Sequence, residues 1–192
     1  MNPFVLYKEI LEKYLLPATI RELEAAWHEP RRKYHNIDHL QQILRDLEKK
    51  KRFVLPIHWE ALVIAAFFHD AVYIPGHQDN EDKSLQWIIH VFQGKDMFML
   101  KKIGEMIECT KFRKKPQDPL LRIFWDADNA GFVGSFENFL GIEKKIREEF
   151  KHVSQQTYKK GRISFLKSCL GIMGPKADSN IKKLLEYIEI NY

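Results

Sequence analysis

The sequence predicts an all-α protein on the strength of two patterns. Apolar residues recur mostly at the three- and four-residue spacing of a helix, and strands have little support. The 9 glycines and 8 prolines cluster near places where a helix would end. We expect helices over residues 2–15, 18–27, 37–50, 57–70, 80–93, 95–110, 120–132, 136–152, 155–172 and 179–190.

The segment after Asn36 is predicted to be an amphipathic helix. Asn36 is a suitable N-cap, because its side-chain oxygen can accept a hydrogen bond from a backbone N–H group of the first turn. The apolar residues that share one stripe are Ile37, Leu40, Ile43, Leu44 and Leu47. His39 is then expected in the first turn of this helix.

The helix predicted over 57–70 is apolar on all sides between Ala61 and Phe68, which indicates a position at the centre of the fold. It ends at His69-Asp70. Burying an ionisable pair is costly unless a metal ion or partner charges compensate. Binding of a metal ion by His69 and Asp70 would account for the pair, because both side chains can converge on an ion just beyond the helix end.

The chain is predicted to form a single domain over residues 1–192. Its length and its 45% apolar content supply one sizeable core. The segments 74–80 and 112–119 contain Pro, Gly, Gln, Asp and Asn, so they are predicted to be loops between helices.

Charge and composition narrow the class of protein. The net charge of +5 weakly favours anionic ligands such as phosphates but is too small to indicate nucleic acid. The longest apolar run is too short to cross a membrane, and the first residues lack the pattern of a secretion signal. We therefore expect a cytoplasmic protein without a membrane partner, with Cys109 and Cys169 as reduced thiols.

A metal site is predicted from three separated segments. The chain between His39 and His69 is long enough for two antiparallel helices, so that the two imidazoles can face each other. A carboxylate from a third helix, Asp126 or Asp128, would complete the site. Such nitrogen and oxygen ligands suit Mn, Fe or Zn, or Mg with more waters.

The chain resembles the HD superfamily of metal-dependent phosphohydrolases, whose pattern is H…HD…D. It looks closest to a bacterial-type group with the motifs R-x-Y-H-N-x-x-H, F-H-D-x-x-Y, D-N-E-x-x-S, D-A-D and a late G-R. The matching segments are Arg32–His39, Phe68–Tyr73, Asp79–Ser84, Asp126–Asp128 and Gly161-Arg162. The resemblance implies a compact helical bundle in which a divalent ion is held by His39, His69, Asp70 and Asp128. Asp128 is favoured over Asp126 because the family often places its last ligand after an alanine.

Two further residues are predicted to take part in catalysis. The string Tyr34-His35-Asn36-x-x-His39 is similar to the metal motif of cyclic-nucleotide phosphodiesterases, which implies that His35 donates a proton. The alternative is that His35 lies before the helix cap and only bonds the backbone. Glu81 could take a proton from the attacking water or bind the metal through a water, or it could simply be a first-turn carboxylate favoured by the helix dipole.

Arg32 and Arg162 are predicted to bind a phosphate by bidentate hydrogen bonds. The expected activity is hydrolysis of a small phosphorylated molecule, such as a nucleotide, with one divalent ion (Mn, Fe, Mg, Ni, Co or Zn) and room for a second. Related sequences often carry a histidine after a Thr-Lys pair, whereas Phe112 follows Thr110-Lys111 here. This missing histidine favours an alternative, an HD module that binds metal or nucleotide without turnover. A nucleic-acid-binding helical protein, suggested by the basic clusters of the chain, is a less favoured alternative. A homodimer is compatible with the amphipathic helices.

Overall fold

The computed structural model describes residues 2–93, 96–111 and 114–192, and it confirms the all-α class. No strand occurs among these residues. The helices are α1 (Pro3–Leu6), α2 (Lys8–Tyr14), α3 (Pro17–Trp27), α4 (Ile37–Glu48), α5 (Pro56–Phe68), α6 (Asn80–Val91), α7 (Met97–Lys111), α8 (Pro119–Asp128), α9 (Phe136–Glu149), α10 (Gln155–Cys169) and α11 (Pro175–Asn191). Short 3₁₀ turns cover Lys51–Phe53 and Asn129–Val133.

The chain divides into two units at Asp128. The first contains the described residues up to 111 together with Pro116–Asp128, and the second is formed mainly by Asn129–Tyr192. The prediction of a single domain over residues 1–192 is not tested by this division and stays a prediction.

The first unit is built around α5. Every residue from Ala61 to Phe68 is at most 1% exposed, as expected for a helix that is apolar on all sides. Helix α5 packs against α4, α7 and α8, and α4 also packs against α8. The predicted ligands lie at the start of α4, just after the end of α5 and at the end of α8. Because these three helices pack against one another, their ends are held in a fixed arrangement.

The second unit has its own smaller core. Helix α11 packs against α9, α10 and the 3₁₀ turn Asn129–Val133. The buried members of this core are Phe139, Leu166, Cys169, Ile181, Leu184 and Ile188. The buried Asn180 amide donates hydrogen bonds to the carbonyls of Phe132 (2.9 Å) and Gly134 (3.0 Å), which fixes the turn to α11.

Several predicted boundaries differ from the structure. The helix predicted over 2–15 is interrupted at Tyr7, whose buried ring packs against Trp59 and Phe67; these tertiary contacts outweigh local helix propensity. The helix predicted over 120–132 ends at Asp128 and continues as a 3₁₀ turn. The helix predicted over 179–190 starts earlier, because Gly174 adopts φ 97° and Pro175 occupies the first helical position.

The remaining predicted helices are found with ends shifted by a few residues. The start predicted at residue 95 and part of the loop predicted over 112–119 lie outside the described residues. None of the helices in the described part of the chain combines the length and apolar character needed to span a bilayer.

Candidate metal centre

Three helix ends position the predicted ligands. His39 lies in the first turn of α4, where the Asn36 side chain accepts a hydrogen bond from the Asp38 backbone N–H at 3.0 Å. His69 is the C-cap of α5, and its backbone N–H still bonds the Ala65 carbonyl. Asp128 is the last residue of α8. The cap at Asn36 and the position of His39 are as the sequence predicts.

The four side chains meet in the first unit. One ligand atom each from His39, His69 and Asp70 lies within 4.8 Å of the other two. Asp128 Oδ1 lies 3.3 Å from His39 Nε2 and 3.6 Å from His69 Nε2. Asp70 Oδ2 lies 3.2 Å from His69 Nε2. The separations of 3.2–3.6 Å are those of atoms that bind one ion at about 2.0–2.1 Å. His39, His69 and Asp70 form the mutually close group that fits a divalent metal, and Asp128 lies beside the two histidines.

His69 shows most clearly that these residues fit a metal. Its imidazole is 1% exposed, and Nδ1 lies 2.9 Å from the Ala66 carbonyl, which fixes Nδ1 as the protonated nitrogen. Nε2 faces the Asp70 and Asp128 carboxylates. It is the one buried side-chain nitrogen or oxygen without a hydrogen-bond partner in the described residues. A metal-binding histidine coordinates through one unprotonated ring nitrogen while the N–H of the other bonds a carbonyl group, so an ion here would take the place of any proton on Nε2.

Charges in the cluster shift the pKa values of His69 and Asp70 in opposite directions. Burial by itself lowers the pKa of His69, but the Asp70 and Asp128 carboxylates outweigh it and raise the pKa to about 9. Burial by itself raises the pKa of Asp70, but His69, together with His35 and His39, holds it well below its ordinary value. The site therefore concentrates negative charge that a cation would neutralise.

Asp128, rather than Asp126, is the residue of the D-A-D segment that lies beside the two histidines. Asp126, two residues earlier on α8, is exposed. Residues two apart on a helix point in different directions, so only one of them reaches the cluster.

His35 directly precedes Asn36, the N-cap of α4, and so lies outside the helix. Its ring nevertheless lies beside the cluster, stacked on Tyr73 with a centroid distance of 4.1 Å and 5.9 Å from the ring of His39. The predicted proton-donating role stays a prediction.

Glu81 is half-buried in the first turn of α6. Burial raises the pKa of its carboxyl group, the backbone N–H at the helix start opposes that rise, and the charge of Asp70 adds to it. The interaction with Asp70 places Glu81 within electrostatic reach of the cluster. It also lies beside a surface ion pair in which Lys111 Nζ contacts Asp82 at 2.6 Å.

The two predicted phosphate-binding arginines are in different units. Arg32 is in the first unit, and its side chain is 2% exposed and bonded to carbonyl groups near the cluster. Arg162 is in the second unit, where its Nε donates to the fully buried Glu143 carboxylate at 2.6 Å. Glu143 also accepts a hydrogen bond from the Tyr158 hydroxyl at 2.8 Å. Substrate binding by either arginine stays a prediction.

Sequence reasoning overlooked three residues that support the site. The Trp27 indole donates to the Phe67 carbonyl at 2.9 Å, and its ring lies 5.6 Å from that of His69. Asn80 and Ser84 hold the loop after Asp70, because they bond the backbone of Ile74 and Val72, respectively. Asn80 and Ser84 belong to the D-N-E-x-x-S motif, which could have identified them from the sequence. Trp27 belongs to none of the quoted motifs.

No protein-family model matches this chain, and no curated protein matches it significantly. The fold and the geometry of the cluster are therefore the structural basis for a functional proposal.

Proposed function

We propose that the protein is a metal-dependent phosphohydrolase that acts on a small phosphorylated molecule, such as a nucleotide. The observation that carries the proposal is the unpartnered Nε2 of His69, which faces two carboxylates beside a second imidazole. Two imidazole nitrogens and two carboxylate oxygens form a ligand set for a divalent cation such as Mn, Fe, Zn, Co, Ni or Mg.

His39, His69, Asp70 and Asp128 would hold the ion. When bound, a divalent ion acidifies a water molecule and neutralises charge on a phosphoryl group. His35, stacked on Tyr73, would donate a proton to the leaving-group oxygen. Glu81 would accept a proton from the attacking water, a task favoured by a carboxyl pKa above its ordinary value.

One observation favours a second candidate, a module that binds metal or nucleotide without turnover. Arg32 and Arg162, the two arginines predicted to bind phosphate, are both engaged with protein groups. A site without a cationic side chain available for the phosphate would bind metal well and hydrolyse substrate poorly.

Under either candidate we expect a cytoplasmic protein, in keeping with its two free cysteines, and a homodimer stays a prediction.

Metal binding is the first test. We expect the purified protein to take up a stoichiometric divalent ion, measured by elemental analysis after reconstitution with Mn²⁺, Co²⁺ or Zn²⁺. His69→Ala and Asp70→Ala should lose the ion because each removes a ligand. His152→Ala, which removes an exposed histidine of the second unit, should retain it. A folded wild-type protein that takes up no metal would refute the proposal.

Turnover separates the two candidates. Wild-type protein is incubated with nucleoside monophosphates, cyclic nucleotides and a chromogenic phosphoester in the presence of Mn²⁺, Mg²⁺, Ni²⁺ or Co²⁺. Metal-dependent release of phosphate from the nucleoside monophosphates, of nucleoside monophosphate from the cyclic nucleotides, or of the chromophore, abolished in Asp70→Ala, supports the enzyme. Stoichiometric metal without release across these substrate classes supports the binding module.

A further inference from the structure

Arg32 makes an unusual set of contacts with the backbone beside the candidate metal ligands. Its Nη1 donates to the Asp70 carbonyl at 2.6 Å, and its Nη2 donates to the Ala71 carbonyl at 2.9 Å. Nη1 also lies 3.4 Å from the carbonyl of His35. One planar guanidinium therefore joins the segment before α4 to the two residues that follow His69.

The environment of Arg32 explains how a charged group is kept at this depth. The Glu29 carboxylate accepts a hydrogen bond from Nε at 3.1 Å. The guanidinium carbon lies 5.8 Å from the ring of Trp27 and 5.7 Å from the ring of Tyr73. A buried arginine with a paired carboxylate, aromatic neighbours and acceptors on both terminal nitrogens is held in one orientation.

We propose that Arg32 is a positioning residue that holds Asp70 in place for metal binding, rather than a residue that grips the substrate. The inference rests on the proposed metal site. After α5 ends at Phe68, the backbone of Asp70 has no helix to hold it. The paired hydrogen bonds to the Asp70 and Ala71 carbonyls fix that backbone, and with it the direction of the Asp70 carboxylate. The contact with the His35 carbonyl also fixes the segment before α4, which carries His39, relative to the Asp70 backbone.

The test uses Co²⁺ as the probe, because its visible absorption spectrum reports ligand geometry directly. Arg32→Lys keeps the charge but has a compact ammonium group that cannot reproduce the bidentate pattern. We expect Arg32→Lys to bind Co²⁺ about 10- to 100-fold more weakly than the wild type, in the range typical for residues that orient a metal ligand. Its Co²⁺ spectrum should also change.

Arg147→Lys is the matched control. Arg147 likewise donates to two backbone carbonyls, those of Phe150 at 2.7 Å and Val153 at 3.3 Å, but it belongs to the second unit. Both variants should lower the thermal midpoint of the metal-free protein, whereas only Arg32→Lys should change Co²⁺ affinity and the spectrum. An effect on stability alone would therefore not reproduce the expected result.

Three outcomes would overturn the inference. Wild-type Co²⁺ affinity and spectrum in folded Arg32→Lys would overturn it while leaving the proposed function intact. Failure of the wild type to bind Co²⁺ would overturn both. If Arg32→Lys does not fold, Glu29→Ala, which removes the carboxylate on Nε, should weaken Co²⁺ binding in the same direction, and unchanged binding would overturn the inference.

Discussion

The indole of Trp27 links the end of the central helix to a site histidine. Its ring is fully buried, and its N–H group bonds the carbonyl of Phe67 in the last turn of α5. A carbonyl in the last turn lacks a partner within its own helix and needs one from elsewhere. Trp27 supplies that partner while its ring lies against His69.

Replacing Trp27 by phenylalanine should destabilise the protein by about 1–3 kcal/mol beyond any loss of packing, because the Phe67 carbonyl remains buried without its donor. Urea denaturation measures the difference. Trp87→Phe is the control, since Trp87 is half-buried and makes an edge contact with Phe68 at 5.7 Å. Equal losses of unfolding free energy in the two variants would show that the hydrogen bond from Trp27 to the Phe67 carbonyl does not add to stability.

Glu81 should make the stability of the metal-free protein depend on pH. Burial raises the pKa of this carboxyl group in the folded state above its value in the unfolded state. Between these two pKa values the folded state binds more protons, so the stability of the protein falls as the pH rises through that interval. Glu81→Gln should therefore stabilise the metal-free protein at neutral pH. The gain should vanish below the pKa of an unfolded glutamate, about 4.3.

Urea denaturation at neutral and acid pH checks the Glu81 prediction. Glu22→Gln, at an exposed position on α3, is the control and should leave stability nearly unchanged at both pH values. A gain from Glu81→Gln that is the same at both pH values would contradict an origin in the raised pKa.

At the scale of the element, the first turn of α4 carries both a cap and a candidate ligand. Asn36→Ala removes the acceptor for the Asp38 N–H and also two hydrogen bonds from the Asn36 amide to the carbonyls of Arg32 and Lys33. We expect a loss of about 0.5–2 kcal/mol in stability. We also expect weaker metal binding, because His39 lies in the turn that frays.

Ser135→Ala is the matched control for the cap. Ser135 caps α9 in the second unit through a hydrogen bond from the Asn138 N–H at 3.2 Å. It should lose a similar amount of stability, about 0.5–2 kcal/mol, without a change in metal affinity. Metal affinity is followed by competition with a chelator. An equal loss of affinity in both variants would rule out a local effect of the α4 cap.

The helices themselves show where sequence reasoning succeeds. The start of α4, the buried character of α5 and the position of His69-Asp70 at its end follow from local pattern, because periodicity and capping act over a few residues. The break at Tyr7 does not, because it depends on contacts with rings from distant segments.

At the scale of the whole molecule, the two units differ in the size of their cores. Among the described residues the main hydrophobic cluster of the first unit has 29 buried members and that of the second has 6. A smaller core stabilises a unit less, so we expect the second unit to open at a lower urea concentration than the first.

The two cysteines can report this difference because each unit contains one. Burial and the nearby Asp128 raise the pKa of Cys109 to about 12, and Cys169 is 1% exposed, so both thiols should resist alkylation in the folded protein. With increasing urea, Cys169 should be alkylated before Cys109, as followed by mass spectrometry of labelled peptides. Simultaneous labelling would indicate that the chain unfolds as one cooperative unit.

The amino-acid sequence by itself predicted the helical class, most helix positions, and His39, His69 and Asp70 as candidate metal ligands. These follow from short-range periodicity, helix capping and the cost of burying an ionisable pair. Only the tertiary structure showed that Asp128, not Asp126, lies beside His39 and His69, and that Arg32 is turned onto the Asp70 and Ala71 carbonyls. Both depend on how separate helices pack, and the direction of a side chain across a packed interface is set by its distant neighbours rather than by the adjacent sequence.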